Sequence, residues 1–286
     1  EVVAQGQGGL LDVIVDSDFA RNRTIFFCFA QAAERGEGNS TALARARLSA
    51  DGERLEDVKV IFSQQPKVAS TLHFGCRIVE RRVGGQPDGT LWLTLGERFS
   101  RRDDAQELDN HLGKIVRVGK DGGVPADNPF VGRAGARPVI WSDGHRNAQG
   151  ATLAPDGSFW MHEHGAQGGD EINLPQPGRN YGWPLVSFGV NYDGTPIGTG
   201  RSEAPGMAPP LHHWTPSIAP SGMAFLSSAR YGRAWQGNLF VGSLKFQFLD
   251  RIELKEGRVA AEHRLLEDLG EGGIELRVHV GAGYRV

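Results

Sequence analysis

Cysteine is nearly missing from this chain, with two in 286 residues, Cys28 and Cys76. Two thiols make no disulfide framework. Each lies in a strand-like run, so both are read as buried free thiols. An excess of one charge is also missing. Lys and Arg total 31 against 34 Asp and Glu, and no basic run marks a nucleic-acid surface. No apolar stretch approaches the ~18 residues of a membrane span. The opening EVVAQGQGG has neither a basic nor an apolar leader region. No signal peptide is therefore visible, although a mature secreted chain reads the same. Helical periodicity is scarce: residues 30–35 and 101–111 are weak candidates, the second polar enough to be a loop. No Gly-x-Gly-x-x-Gly joins a strand to a helix, which argues against a dinucleotide fold.

Glycine, by contrast, is abundant at 40 residues, about twice the usual ~7%. Without a low-complexity tract to absorb it, that glycine implies many turns and many short elements. One pattern recurs: a turn, then a short aromatic-rich run. It appears at Thr24–Phe29, Thr90–Leu95, Ser158–His162 and Asn238–Gly242. Another apolar run lies upstream of each, at Leu11–Val15, Ile78–Val79, Ala151–Ala154 and Met223–Leu226. Further strand candidates are Ala42–Leu48, Lys59–Phe62, Lys114–Val118, Phe248–Leu254 and Val259–Leu266. A unit of roughly 65–80 residues with about four strands reads as one propeller blade with long loops. A β-sandwich explains the turns but does not require this repeat. About four units are visible, followed by a fragment after Glu271. Strands are therefore expected to be missing from one or both ends of the ring.

Polar chemistry concentrates in Trp141–Pro184. That stretch holds His145, His162 and His164, the adjacent pair Arg146 and Asn147, and the acids Glu163, Asp170 and Glu171. So many polar groups among flexible backbone positions suggest loops gathered at one end of a strand scaffold, where sites usually sit. His162 and His164 share a strand face, but no third zinc ligand is evident nearby.

Several ordered motifs are specific enough to compare with a family. They are GQGGLLDVIVDSDF (6–19), HFGCRIV (73–79), LDNHLGKIVRV (108–118), DNPF (127–130), GHRNAQG (144–150), EHGAQGGDEIN (163–173), GRNYGWP (178–184), WTPSIAPSGM (214–223) and GNLFVGSLK (237–245). In these the chain resembles the soluble pyrroloquinoline-quinone (PQQ)-dependent aldose sugar dehydrogenases, from Gln5 to about Leu269. The resemblance implies an all-β, six-bladed propeller of four-stranded antiparallel blades, here a single domain over residues 1–286 and incomplete at one or both termini. It implies oxidation of an aldose at its anomeric carbon to a lactone, with PQQ and Ca²⁺ as cofactors and an external electron acceptor. A periplasmic or secreted location, without a membrane span or nucleic acid, and a monomer or homodimer complete the expectation.

The chemistry asks for a base for the hydroxyl proton and a cofactor for the hydride, since no side chain accepts one. His73, after a polar loop and before glycine, is by resemblance the general base; a turn histidine with a structural hydrogen bond is the plainer reading. Arg146 and Asn147 resemble the cofactor-binding pair, with the Arg146 guanidinium suited to polarising a quinone oxygen or pairing a carboxylate; a loop-bracing arginine is the alternative. Lys245 would anchor a PQQ carboxylate, unless it is an ordinary exposed lysine. Gln7 resembles the glutamine beside cofactor and base, or is a solvated loop amide. Trp214 resembles an aromatic at the sugar entrance, where C–H faces stack, or is a core residue. The backbone carbonyls of Gly165 and Ala166 take the place of a Gly-Pro step that holds calcium, without proline's fixed φ. Asp170 and Glu171 brace this loop or serve a structural calcium, unless they are simply solvated carboxylates on a glycine-rich turn. At the C-terminus, GGIELRVHVGAGYRV departs from the family's paired arginines and leaves Arg277 as the one candidate for PQQ binding. Two other classes stay open: a catalytically inactive carbohydrate- or protein-binding propeller, and a calcium-dependent propeller lactonase.

Overall fold

The recurring aromatic runs are the second strands of four separate sheets. The computed structural model describes residues 1–268. Sheet one holds β1 (Leu10–Val15), β2 (Thr24–Ala32), β3 (Asn39–Leu48) and β4 (Leu55–Ser63). Sheet two holds β5 (Gly75–Val83), β6 (Gln86–Leu95), β7 (Ile115–Gly119) and β8 (Ile140–Ser142). Sheet three holds β9 (Ala148–Leu153), β10 (Phe159–Glu163), β11 (Asp170–Asn173) and β12 (His212–Trp214). Sheet four holds β13 (Pro220–Phe225), β14 (Leu239–Ser243), β15 (Leu249–Lys255) and β16 (Arg258–Leu265). Each sheet is an antiparallel meander in chain order. Its first strand lies beside the first strand of the next sheet, β1 by β5, β5 by β9, β9 by β13. That is the radial arrangement of propeller blades, and a two-sheet sandwich is excluded.

Burial follows this radial order. The second strand has neighbours on both faces, so β6 runs apolar through Leu91, Trp92, Leu93 and Leu95, all buried. The fourth strand of sheet four alternates exposed and half-buried along its length, as one covered face requires. The cores fill the gaps between blades. Phe26, Leu43 and Ile61 meet Ile78, Leu91 and Val116. Val79, Trp92 and Ile115 meet Phe159 and Met161. Trp160, Ile172 and Trp214 meet Met223, Val241 and Ile252. Trp92 stacks on Phe159 with centroids 4.6 Å apart, joining two blades through one aromatic contact.

Two expectations need correction, the free thiols and the helix over 30–35, while the loop reading of 101–111 holds. The cysteines are buried, but they are not free: Cys28 on β2 and Cys76 on β5 form a disulfide with Cα atoms 6.2 Å apart. They lie 48 residues apart in the chain and meet only because blades one and two stack face to face. Residues 30–35 are no helix, since β2 continues through Ala32. Residues 101–111 hold one 3-10 turn, Arg102–Gln106, within a loop. No helix among the described residues is long and apolar enough to cross a membrane.

Candidate active site

The meander places the polar motifs at one end of the four blades, the mouth of the propeller. Gln7 precedes β1, His73 precedes β5, and Arg146 and Asn147 precede β9. Glu97, Gly165 and Lys245 follow the second strands β6, β10 and β14. Because first and second strands pair antiparallel, the entrance of one lies beside the exit of the other: Gly75 pairs with Leu95, Ala148 with Glu163, Pro220 with Ser243. One repeat therefore delivers every one of these residues to the same end.

His73 is buried and held from three sides. Its backbone N–H donates to Gln7 Oε1 at 2.8 Å. Its Nδ1 lies 3.1 Å from Glu97 Oε1. Its ring meets Phe99 edge to face, centroids 5.2 Å apart. No described residue hydrogen-bonds Nε2, and that nitrogen is not sealed from solvent. Desolvation draws the imidazole below its ordinary pKa of 6.5, while the hydrogen bond and charge of Glu97 oppose this. The ring is therefore neutral at pH 7, with a lone pair to offer. The backbone is as constrained as the ring, since a Cβ on Gly96 would stand 2.1 Å from the His73 carbonyl oxygen.

Arg146 is 4% exposed, and Glu97 reaches it through the backbone, Glu97 N–H donating to the Arg146 carbonyl at 3.0 Å. Its guanidinium donates through Nη1 to the carbonyls of His164 (3.1 Å) and Gly165 (2.5 Å), and through Nη2 to Tyr192 Oη at 3.3 Å. It also lies 5.2 Å over the Trp183 ring. Nε is buried without a partner. Among the described residues no carboxylate pairs with this cation, and burying a charge without a counter-ion is costly. Asn147 turns its Oδ1 to the Gly75 N–H (3.2 Å) and to Gln149 Nε2 (3.0 Å), joining the β9 entrance to the His73 loop.

Behind Arg146 lies a second histidine–glutamate pair. His145 Nδ1 is 3.0 Å from Glu163 Oε1, and its Nε2 is 2.8 Å from Ser142 Oγ. Glu163 Oε2 accepts the backbone N–H of Arg146 at 2.5 Å, and Asn173 Nδ2 donates to Oε1 at 3.0 Å. The Ser-His-Glu order suggests a hydrolase, but Ser142 and His145 are fully buried and Tyr181 stacks on the imidazole at 4.9 Å. This network sets the backbone that carries Arg146.

The Gly165 loop is braced by Asp170. One oxygen accepts the Gly165 N–H at 2.8 Å; the other accepts Ser217 Oγ–H and the N–H groups of Ile218 and Ala219. The expected bracing role thus has its partners. Lys245 joins the same frame through its backbone N–H to the Ile218 carbonyl, while its ammonium lies over Phe246 at 5.0 Å, exposed. Gly165 admits no side chain, since a Cβ would lie 2.1 Å from the Gly168 carbonyl oxygen. Desolvation and the charge of Glu163 push the Glu171 carboxyl up to about 8. No group of three or more His, Cys, Asp and Glu that could hold a metal occurs among the described residues, and His162 is enclosed in the interior.

Gln7, His73, Arg146, Asn147 and the Gly165 loop therefore converge, with Lys245 at their rim. Trp214 departs from its expected place at the sugar entrance. It is 4% exposed in the core between blades three and four, and its indole N–H donates to Asp250 Oδ2 at 3.0 Å. With hydrogen-bond donor and ring both engaged, it presents no free face. Arg277 lies outside the described residues. Glu97 and Phe99 were not singled out in the sequence; an acid just past the aromatic run Thr90–Leu95 was the available signal.

This geometry has counterparts. The glucose/sorbosone dehydrogenase family model matches residues 1–275, and the chain belongs to that family. Aldose sugar dehydrogenase YliI of Escherichia coli K12 is 41% identical over 273 residues, covering 95% of this chain and 71% of the relative. A crystal structure of glucose dehydrogenase superposes with a TM-score of 0.89 at 48% identity, over 95% of this chain and 77% of that one. The PQQ-bound aldose sugar dehydrogenase from Streptomyces coelicolor superposes at 0.74 with 27% identity, over 95% and 71%.

Proposed function

We propose that this chain is a PQQ-dependent aldose dehydrogenase that oxidises the anomeric carbon to a lactone and passes electrons to an external acceptor. The observation that carries the reading is a buried guanidinium without an anion, Arg146, at the same mouth as a buried neutral base, His73. A tricarboxylate suits that vacancy in charge: Arg146 Nε has an unused donor, and Lys245 adds a second cation at the rim. Arg146, Asn147 and Gln7 would hold PQQ, with Lys245 and Arg277 toward its carboxylates. The carbonyls of Gly165 and Ala166 would hold calcium, and Gly165 O must first be released by Arg146 Nη1. When bound, PQQ would supply the hydride acceptor and calcium a Lewis acid beside it.

The protein's own part follows from its hydrogen bonds. Glu97 fixes the proton on His73 Nδ1, so the lone pair sits on Nε2. Nε2 takes the proton of the anomeric hydroxyl as the C–H bond breaks, and Glu97 stabilises the imidazolium. Gln7 holds the His73 backbone, and Asn147 ties that loop to Arg146. The domain would be a single propeller over residues 1–286, within a six-bladed ring. The disulfide supports a periplasmic or secreted location, because cytosolic thiols are kept reduced.

The test is reduction of an artificial dye by an aldose after incubation with PQQ and Ca²⁺. Dye reduction without reduction of NAD is expected. NADH absorbance on adding an aldose would overturn the reading. Tight PQQ binding with no dye reduction would favour the inactive binding propeller.

A further inference from the structure

Phe99 has a backbone conformation unusual for its size, with φ +63°, and Arg98 before it has φ +68°. Bulky residues rarely occupy the left-handed region, and persist there only when the surroundings hold them. Here they are held firmly. Glu97 Oε2 accepts the Phe99 N–H. Arg98 is fully buried, lies 3.5 Å over the Phe74 ring and donates to Asn39 Oδ1 at 2.7 Å and to the Ser70 carbonyl. Yet this anchoring does not bury the Phe99 ring, which stays 46% exposed beside the His73 imidazole. A strained backbone that leaves an apolar ring half in water does not serve packing. On the Arg146 side, Tyr192 is 66% exposed and its hydroxyl accepts from Nη2. The base and the guanidinium are both buried, and each has an exposed aromatic ring beside it. Ligand sites commonly pair such rings with a few polar groups. Trp214, the ring expected to stack on sugar, is taken up by the core.

We propose that Phe99 and Tyr192 are the two walls that receive the substrate, and that Phe99 sets specificity by stacking on the apolar C–H face of an aldopyranose as its anomeric hydroxyl reaches His73. This rests on the aldose dehydrogenase reading above. Glu97 then has two tasks on two oxygens: Oε1 orients the base, and Oε2 places the ring that orients the sugar.

The experiment compares wild type, Phe99→Gly and Phe99→Leu as full chains loaded with PQQ and Ca²⁺. KM and kcat are measured for glucose and for glycolaldehyde, which has no ring face to stack. Saturation-transfer NMR reports which glucose protons touch the protein. Loss of one stacked ring raises the glucose KM by about three- to tenfold. The glycolaldehyde KM should stay within about twofold, any fall in kcat should be common to both substrates because the ring also touches His73, and leucine should fall between phenylalanine and glycine. Glycine accepts φ +63° without strain, so the melting temperature should hold or rise while glucose affinity falls. An unchanged glucose KM, or equal increases for both substrates, overturns the proposal. Wild type inactive with every sugar, yet with saturation transfer that Phe99→Gly abolishes, supports the stacking wall and refutes the redox reading. No transfer in an inactive wild type overturns both.

Discussion

The mouth of this propeller contains one motif built twice. His73 with Glu97 and His145 with Glu163 each join an Nδ1 to a glutamate Oε1, at 3.1 and 3.0 Å, and both pairs are buried. The difference lies at the other nitrogen. His145 Nε2 is 2.8 Å from Ser142 Oγ, and its ring is covered by Tyr181. His73 Nε2 has no partner among the described residues, and its ring is flanked by a half-exposed phenylalanine. A histidine–carboxylate pair is therefore not in itself catalytic. Closed at both nitrogens, it sets a backbone; open at one, it leaves a lone pair free, which is the feature behind the proposed role of His73 as base.

The first way to break the comparison is to delete each ring. His73→Ala should lower kcat by ~10²- to 10⁴-fold, with the protein still folded and binding PQQ. His145→Ala should act on stability, costing about 2–4 kcal/mol in urea unfolding by stranding Ser142 and Glu163 inside. Near-normal turnover in the His73 variant would move the base elsewhere.

The loop between the two pairs comes next. Gly165→Ala forces a Cβ to within 2.1 Å of the Gly168 carbonyl oxygen, so the loop must open. About 1–3 kcal/mol of stability should be lost. PQQ affinity in calcium should fall by roughly tenfold, about 1.4 kcal/mol, read by titration with and without EDTA. Unchanged affinity would separate this loop from the cofactor.

Glu97→Gln sharpens the comparison through pH. His73 must be neutral to accept a proton, so kcat/KM rises as pH passes upward through its pKa. Desolvation holds that pKa below 6.5, and Glu97 opposes it. Removing the carboxylate charge lowers the pKa further. The acid limb of kcat/KM should therefore move to lower pH, with the plateau reduced by roughly tenfold as the imidazolium loses its partner. A limb displaced to higher pH would reverse the assignment.

The smallest effect on turnover is expected at the disulfide. The double variant Cys28→Ala, Cys76→Ala should lose about 2–4 kcal/mol in denaturant. Its kcat at 25 °C should stay within about twofold, since neither sulfur enters the mouth.

Much of this was legible in the residues, for a physical reason. The second strand of each blade is covered on both faces and must be apolar, so Thr24–Phe29 and Thr90–Leu95 read as strands at sight. The strands that escaped notice are β8, β11 and β12, of three or four residues each, spelled IWS, DEIN and HHW. Such segments are too short for alternation to appear, and only their neighbours make them strands. Glycine-punctuated turns marked His73, Arg146 and Asn147 as polar loop residues, but the roles expected of them came from the family resemblance of the motifs around them. Glu97 was not marked, because its partner lies 24 residues away in the chain and a carboxylate after a strand looks like any turn residue. Phe99 was hidden further, since no local pattern announces a left-handed phenylalanine. The Cys28–Cys76 pairing and the burial of Trp214 depend on how blades stack, which a blade's own sequence does not state.

The most direct test of the open-nitrogen account is histidine modification of the folded protein by diethyl pyrocarbonate, mapped by peptide mass at pH 7. A neutral imidazole with a free Nε2 reacts, and one closed at both nitrogens does not. The account predicts that carbethoxylation of His73 proceeds in step with loss of reconstituted activity, while His145 stays unmodified until the protein is unfolded. Activity lost with His73 intact, or His145 modified as fast as His73, would contradict it.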